Sequence, residues 1–171
     1  MPESGARGMF RRILFLYARL LDLLLVLTVA VIILPVTLQI FARFTDWLPR
    51  YIWTEELARF LLVWMIMIGS IIGVREGAHF TVDLFNNLRG RTKAAMDILA
   101  AIFVLAMAIV FIVYGWEFTD SAWFRISELA ELPLWTIHIA WPIAGVSWLL
   151  FQGERVWDDV QVLLHGERKL P

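Results

Sequence analysis

Cysteine is absent from the chain. That excludes disulfides, iron–sulfur clusters, thiolate zinc sites and a cysteine nucleophile together. An excess of either charge is absent too. Fifteen basic and 16 acidic residues leave a formal net charge of −1, which gives no support to nucleic-acid binding, since that usually needs a basic face. No Ser–His–acid set, P-loop, HExxH or EF-hand pattern occurs, which argues against an enzyme. Internal repeats, low-complexity tracts and paired broken helices, the usual pointers to a transporter's own substrate site, are also missing.

What the chain has in abundance is apolar surface. It is 60% hydrophobic with a mean hydropathy of +0.72, against about 45–50% apolar content in an ordinary soluble domain. A globule of this size buries only about 70% of its unfolded surface. Too much hydrocarbon would stay wet, so the composition predicts a membrane protein.

Four spans are expected, at about 20–44, 55–75, 94–116 and 132–152, forming a single all-α membrane domain over 1–171. The charge-free run from Leu23 to Ala42 is long enough to cross a bilayer, so the first span is read as retained rather than as a cleaved signal. Pro35 is tolerable inside it because neighbouring groups can satisfy a freed carbonyl in membrane helices. Three stretches look interfacial: Met9–Tyr17, with Arg11 and Arg12 beside apolar residues; Trp47–Trp53, around Pro49; and Trp157–Leu164.

Loop charge sets the orientation. Arg7, Arg11, Arg12 and Arg19 precede the first span, and Arg75, Arg89, Arg91 and Lys93 lie between the second and third. The loop between the third and fourth has only Arg125 among Glu117, Asp120, Glu128 and Glu131. Both termini are therefore expected in the cytoplasm, with Arg43 and Arg50 in mild dissent. Trp47, Trp53, Trp116, Trp123 and Trp135 would form an aromatic belt at the outer surface.

Candidate functional residues gather at the two ends of the second span. Glu56 and Arg59, three apart, share a helical face and can pair, and Glu55–Arg59 is the alternative. The same face continues through Val63, Ser70 and Gly73, and Gly69 with Gly73 forms a small-xxx-small pair suited to close helix approach. At the other end, Gly77 suits a left-handed helix cap, and Arg75 suits the negative end of the helix dipole. His79 and Asp83 follow in a segment expected to lie on the inner surface. Haem ligation fails on position, since His79 and His138 fall near opposite faces of the membrane. Ser70 and Ser147 each stand without a histidine at their depth, so neither is a nucleophile.

The ordered set Glu56-x-x-Arg59, Trp64, Gly69, Arg75, Gly77, His79 and Asp83 resembles the signature of the small membrane subunit, DctQ, of tripartite ATP-independent periplasmic (TRAP) transporters. The later run Leu132, Pro133, Trp135, His138 and Pro142 is similar to that family's last-helix entry, except that His138 stands where an aromatic is expected. The expected partner-interface and structural residues are Trp53, Glu56, Arg59, Trp64, Gly69, Ser70, Gly73, Arg75, Gly77, His79, Asp83, Pro133 and Trp135.

The resemblance covers nearly the whole chain and implies two protein partners. One is a large multi-spanning subunit that carries the substrate and ion sites. The other is a periplasmic substrate-binding protein. It further implies ion-gradient-driven uptake of an organic acid across a bacterial inner membrane, with no cofactor. This chain would be the scaffold in the lipid bilayer and would help form the outer docking surface, near Glu117–Trp135. Two alternatives from other classes are an independent homo-oligomeric channel or carrier, which needs a polar stripe, and a haem electron-transfer subunit. Spans one and three offer little such stripe, with Thr28, Thr37 and Gln39 as the polar residues of span one.

Overall fold

A computed structural model describes residues 3–45, 49, 51–77 and 91–165. It consists of α1 (Glu3–Phe44), α2 (Trp53–Glu76), α3 (Arg91–Ser121), the single turn α4 (Trp135–His138) and α5 (Ala140–His165). Among the described residues there is no strand, only an isolated antiparallel bridge between Ile126 and Pro133.

Three segments are long and apolar enough to cross a membrane: Gly8–Phe44, Trp53–Glu76 and Ala95–Ser121. The helix of the stretch 132–152 begins only at Trp135. Pro142 has no N–H to offer the His138 carbonyl, so one hydrogen bond is lost where α4 meets α5, but the backbone stays helical through Ile139, at φ −64° and ψ −16°, whose N–H donates to the Trp135 carbonyl and whose carbonyl accepts from Ile143 N–H. Gln152, Glu154 and Arg155 then interrupt the apolar run of α5. Two of the expected interfacial segments are likewise parts of long helices. Met9–Tyr17 continues directly into α1, and Trp157–Leu164 is the last part of α5. At 1.5 Å per residue α1 extends for about 60 Å, twice the hydrocarbon layer, and it runs through Pro35 without interruption.

The helices pack in the order α1, α2, α5, α3. α2 and α5 are the internal members, and among the three apolar spans α2 has 28% of its window buried against 6% for α1 and 11% for α3. The tightest seam joins α3 to α5. Buried small residues recur on the α3 side every seven positions, at Ala101, Ala108, Gly115 and, just past its end, Ala122. Across the seam Ala108 meets Gly145, and Gly115 meets Trp141 and Pro142 of α5. A Cβ on Gly145 would come within 2.7 Å of the Ala108 carbonyl oxygen. Small residues are what let backbones approach this closely in a membrane, where van der Waals packing replaces the hydrophobic driving force. Phe111 flanks the seam, with its ring 5.1 Å from Trp141 and 4.9 Å from Trp148.

The central cluster joins α1, α2 and α5 through Leu14, Ala18, Leu21, Met67, Ile68, Ile71, Ala144 and Phe151. One polar contact crosses it: the Tyr17 and Ser147 hydroxyls lie 2.7 Å apart, and Ser147 also donates to the Ile143 carbonyl. Ser147, isolated in the linear sequence, is thus 2% exposed and partnered across 130 residues. The Tyr17 ring stacks on Phe151 at 5.9 Å.

Candidate functional site

Glu56 lies in the first turn of α2, and its carboxylate does not pair with Arg59. Arg59 turns instead to Glu55, at 3.6 Å, with both side chains largely exposed. Glu56 accepts hydrogen bonds from two consecutive amides, Leu129 N–H at 3.0 Å and Ala130 N–H at 2.7 Å. Those amides belong to a small hairpin after α3. Ser127 N–H donates to Leu132 O, and Leu134 N–H to Arg125 O, each at 2.9 Å. The turn at its tip needs one residue in the left-handed region, Glu131 at φ 53°. Two exposed amides of such a turn are natural ligands for a carboxylate. The sequence pattern favoured Arg59 because it sees only neighbours along the helix.

Trp64, about two turns further along α2, donates its indole N–H to the Thr136 carbonyl at 3.0 Å and ties α2 to α4. Trp135 stacks on Trp123, with ring centroids 5.2 Å apart, and Pro133 forms the bridge with Ile126. His138 fills an aromatic's place: its ring lies 3.9 Å from that of Phe118. Trp53 opens α2, half-exposed, beside Tyr51. Glu56, Trp64, Pro133 and Trp135 therefore serve one structure, the hairpin and its joint to α4.

At the other end of α2, Gly77 adopts φ 71° and caps the helix through its N–H to Gly73 and Val74 carbonyls. The Arg155 guanidinium of α5 occupies the space that a Gly77 Cβ would need, and it donates to the Arg75 carbonyl. A cation is thereby placed on the unsatisfied carbonyls of a helix C-terminus. The Arg75 side chain reaches back to Asp22 of α1, at 3.4 Å. Arg11 of α1 contacts both Glu154 and Asp158 of α5 at 3.0 Å. Sequence reasoning missed Arg155, Arg11, Asp22, Glu154 and Asp158. The pattern shows the Glu154–Asp158 spacing of four on one face of α5, but a partner some 150 residues away leaves no local trace. His79 and Asp83 lie outside the described residues.

The remaining candidates separate by side. The Ser70 hydroxyl is spent on the Met67 carbonyl at 2.7 Å. A Cβ added to Gly69 would meet nothing within 4 Å. Arg59, Leu62 and Ile66 are exposed and, with Gly69 and Gly73, follow the three–four spacing of one helical stripe. α2 thus has one side consumed by internal contacts and one outward stripe that ends in small residues.

A family model described as "Tripartite ATP-independent periplasmic transporters, DctQ component" matches residues 32–162. The chain is 27% identical over 124 residues to the sialic acid TRAP transporter small permease protein SiaQ of Vibrio cholerae, a match covering 70% of this chain and 71% of that one. It is 29% identical over 109 residues to the C4-dicarboxylate TRAP transporter small permease protein DctQ of Rhodobacter capsulatus, covering 59% of this chain and 45% of the relative. A third relative, the sialic acid TRAP transporter permease protein SiaT of Haemophilus influenzae, is 28% identical over 96 residues, 56% of this chain but 16% of its own length.

Proposed function

The chain belongs to the DctQ-component family of tripartite ATP-independent periplasmic transporters, a family of transporter membrane subunits and not of enzymes, and on that premise we propose that it scaffolds a large transport subunit in a bacterial inner membrane. In this reading the chain crosses the membrane four times, α4 and α5 together making the last span, with both termini in the cytoplasm. The basic ends of α1 and α3 then face inward, as the positive-inside rule requires. The hairpin and its acidic, aromatic surroundings face the periplasm and help to seat a substrate-binding protein. Uptake is driven by an ion gradient. The substrate is an organic acid, as the names of the sialic acid and C4-dicarboxylate relatives suggest.

The observation that carries the scaffold reading is the division of α2. Its polar residues Glu56, Trp64 and Ser70 are engaged within the chain, while Arg59, Leu62, Ile66 and Gly69, on one stripe, are turned outward. A stripe of that composition supports close packing of a partner helix rather than conduction. That a much longer permease contains a region similar to this chain fits a small subunit held against a larger one. Gly69→Leu tests the assignment. It points a side chain into open space, so the chain should express and melt as before, yet most of the large subunit should fail to co-purify after gentle solubilisation. Unchanged recovery of the large subunit would refute the stripe as its contact. Flux through the purified chain alone would instead favour an independent channel.

A further inference from the structure

Between the C-terminal end of α1 and the start of α2 lies a cleft of about 560 Å³ that the scaffold role does not use. Its volume falls within the roughly 300–1,000 Å³ range of small-molecule sites. Leu38, Ala42 and Ile52 give it apolar walls, and Gln39, Arg43 and Glu55 bring polar groups to it. Gln39 and Arg43 are one helical turn apart and share a face of α1. The Gln39 amide nitrogen is shielded from solvent and has no hydrogen-bond partner among the described residues, a costly state for a donor in an apolar setting. Arg43 has no carboxylate within ion-pair distance among the described residues, although Glu55 lines the same cleft; Glu55 lies instead 3.6 Å from Arg59.

The cleft therefore presents two unspent donors, one of them a guanidinium, on one wall and a carboxylate on the other. That combination fits a head that is both anion and ammonium. The guanidinium and the amide suit a phosphate oxygen, and the carboxylate suits a primary ammonium that can donate hydrogen bonds. A quaternary ammonium cannot donate, and a glycerol head has no cation. Leu38 and Phe41 at the level of the cleft, and Leu34 a turn below it, are exposed apolar surface of α1 on which acyl chains can lie. The two helix ends concerned also bound segments long and apolar enough to span a bilayer, which sets the cleft at headgroup depth.

We propose that this cleft is a binding site for one phosphatidylethanolamine molecule, its phosphate on Arg43 and Gln39 and its ammonium on Glu55. The test is native mass spectrometry on the full chain extracted from membranes, delipidated in mild detergent, and offered phosphatidylethanolamine, phosphatidylglycerol and phosphatidylcholine in equal amounts. One phosphatidylethanolamine should be retained, preferred over the other two by about tenfold, the factor that a single charge-assisted hydrogen bond sets. Arg43→Ala and Gln39→Leu should each remove most of that retention. Glu55→Gln should erase the preference for phosphatidylethanolamine over phosphatidylglycerol while total phospholipid binding persists. Lys93→Ala, at a distant exposed lysine, should change nothing.

Equal retention of the three lipids by the unaltered chain would overturn the proposal, as would undiminished binding in Arg43→Ala. Displacement of the bound lipid by millimolar inorganic phosphate would show a simple anion site and overturn the lipid assignment. Absence of the lipid from chain still joined to a large subunit, with retention only by isolated chain, would give the cleft to the partner and overturn it too.

Discussion

The two ends of α2 are stabilised in opposite ways. At the Arg155 end, three helices are joined by contacts spread over six side chains: Arg11 with Glu154 and Asp158, Arg75 with Asp22, and Arg155 against Gly77 and the Arg75 carbonyl. At the Glu56 end, a single carboxylate holds the tip of a hairpin through two backbone amides. Distributed charge makes the first end resistant to the loss of any one pair, since exposed ion pairs contribute only about 0–1 kcal/mol each. Concentrating the contact in one residue makes the second end a joint that one substitution can release. That contrast suits a subunit with one end built as an anchor and the other built to present a loop.

The largest effect should come from Gly77→Ala. A Cβ there meets the Arg155 guanidinium and must also adopt a left-handed backbone, which costs about 1–2 kcal/mol by itself. Thermal unfolding of the purified chain should show a loss of about 2–3 kcal/mol once displacement of Arg155 is added. Gly77→Asn separates the two causes. Asn tolerates the backbone, so it should recover part of the loss, and full recovery would mean that Arg155 yields freely. Arg155→Ala should cost less, about 1–2 kcal/mol, because the α2 carbonyls can turn to water at that end.

Glu56→Ala should leave the global melting temperature almost unchanged and act locally. Protease cleavage and amide exchange within 125–134 should increase sharply, since both turn amides lose their acceptor. Glu56→Gln keeps one acceptor oxygen and should lie between. If Glu56→Ala melts as poorly as Gly77→Ala, the contrast between the ends is wrong. Arg11→Ala should be the mildest change, at most about 1 kcal/mol and diminishing further in high salt. A large salt-independent loss would show that the pair with Glu154 and Asp158 is buried in the assembled protein.

Most of the helices were legible because hydropathy and charge are local properties. The first three apolar runs, the tolerance of Pro35, the cap at Gly77 and the family signature can all be read along the chain. Pro142, read as lying within the fourth span, removes one hydrogen bond and leaves the backbone helical across Ile139, as prolines in membrane helices can. Glu56 was singled out correctly as a residue with a partner, and the partner was misassigned. Helical spacing ranks Arg59 beside it, whereas the turn amides that win lie more than 70 residues away.

The sequence by itself determined that this is an apolar, helical membrane protein with charge confined to the ends of its spans, because a bilayer sorts residues by hydropathy whatever their neighbours. It also determined the family, through an ordered set of polar and small residues. Only the tertiary structure decided which of those residues are spent inside the chain and which face outward. Glu56, Trp64 and Ser147 find acceptors or donors on distant parts of the chain; Arg59, Gly69 and the Arg43 cleft do not among the described residues. The physical reason is that a hydrogen bond is settled by distance and angle in space, and the helix order α1, α2, α5, α3 brings together groups that the chain keeps far apart.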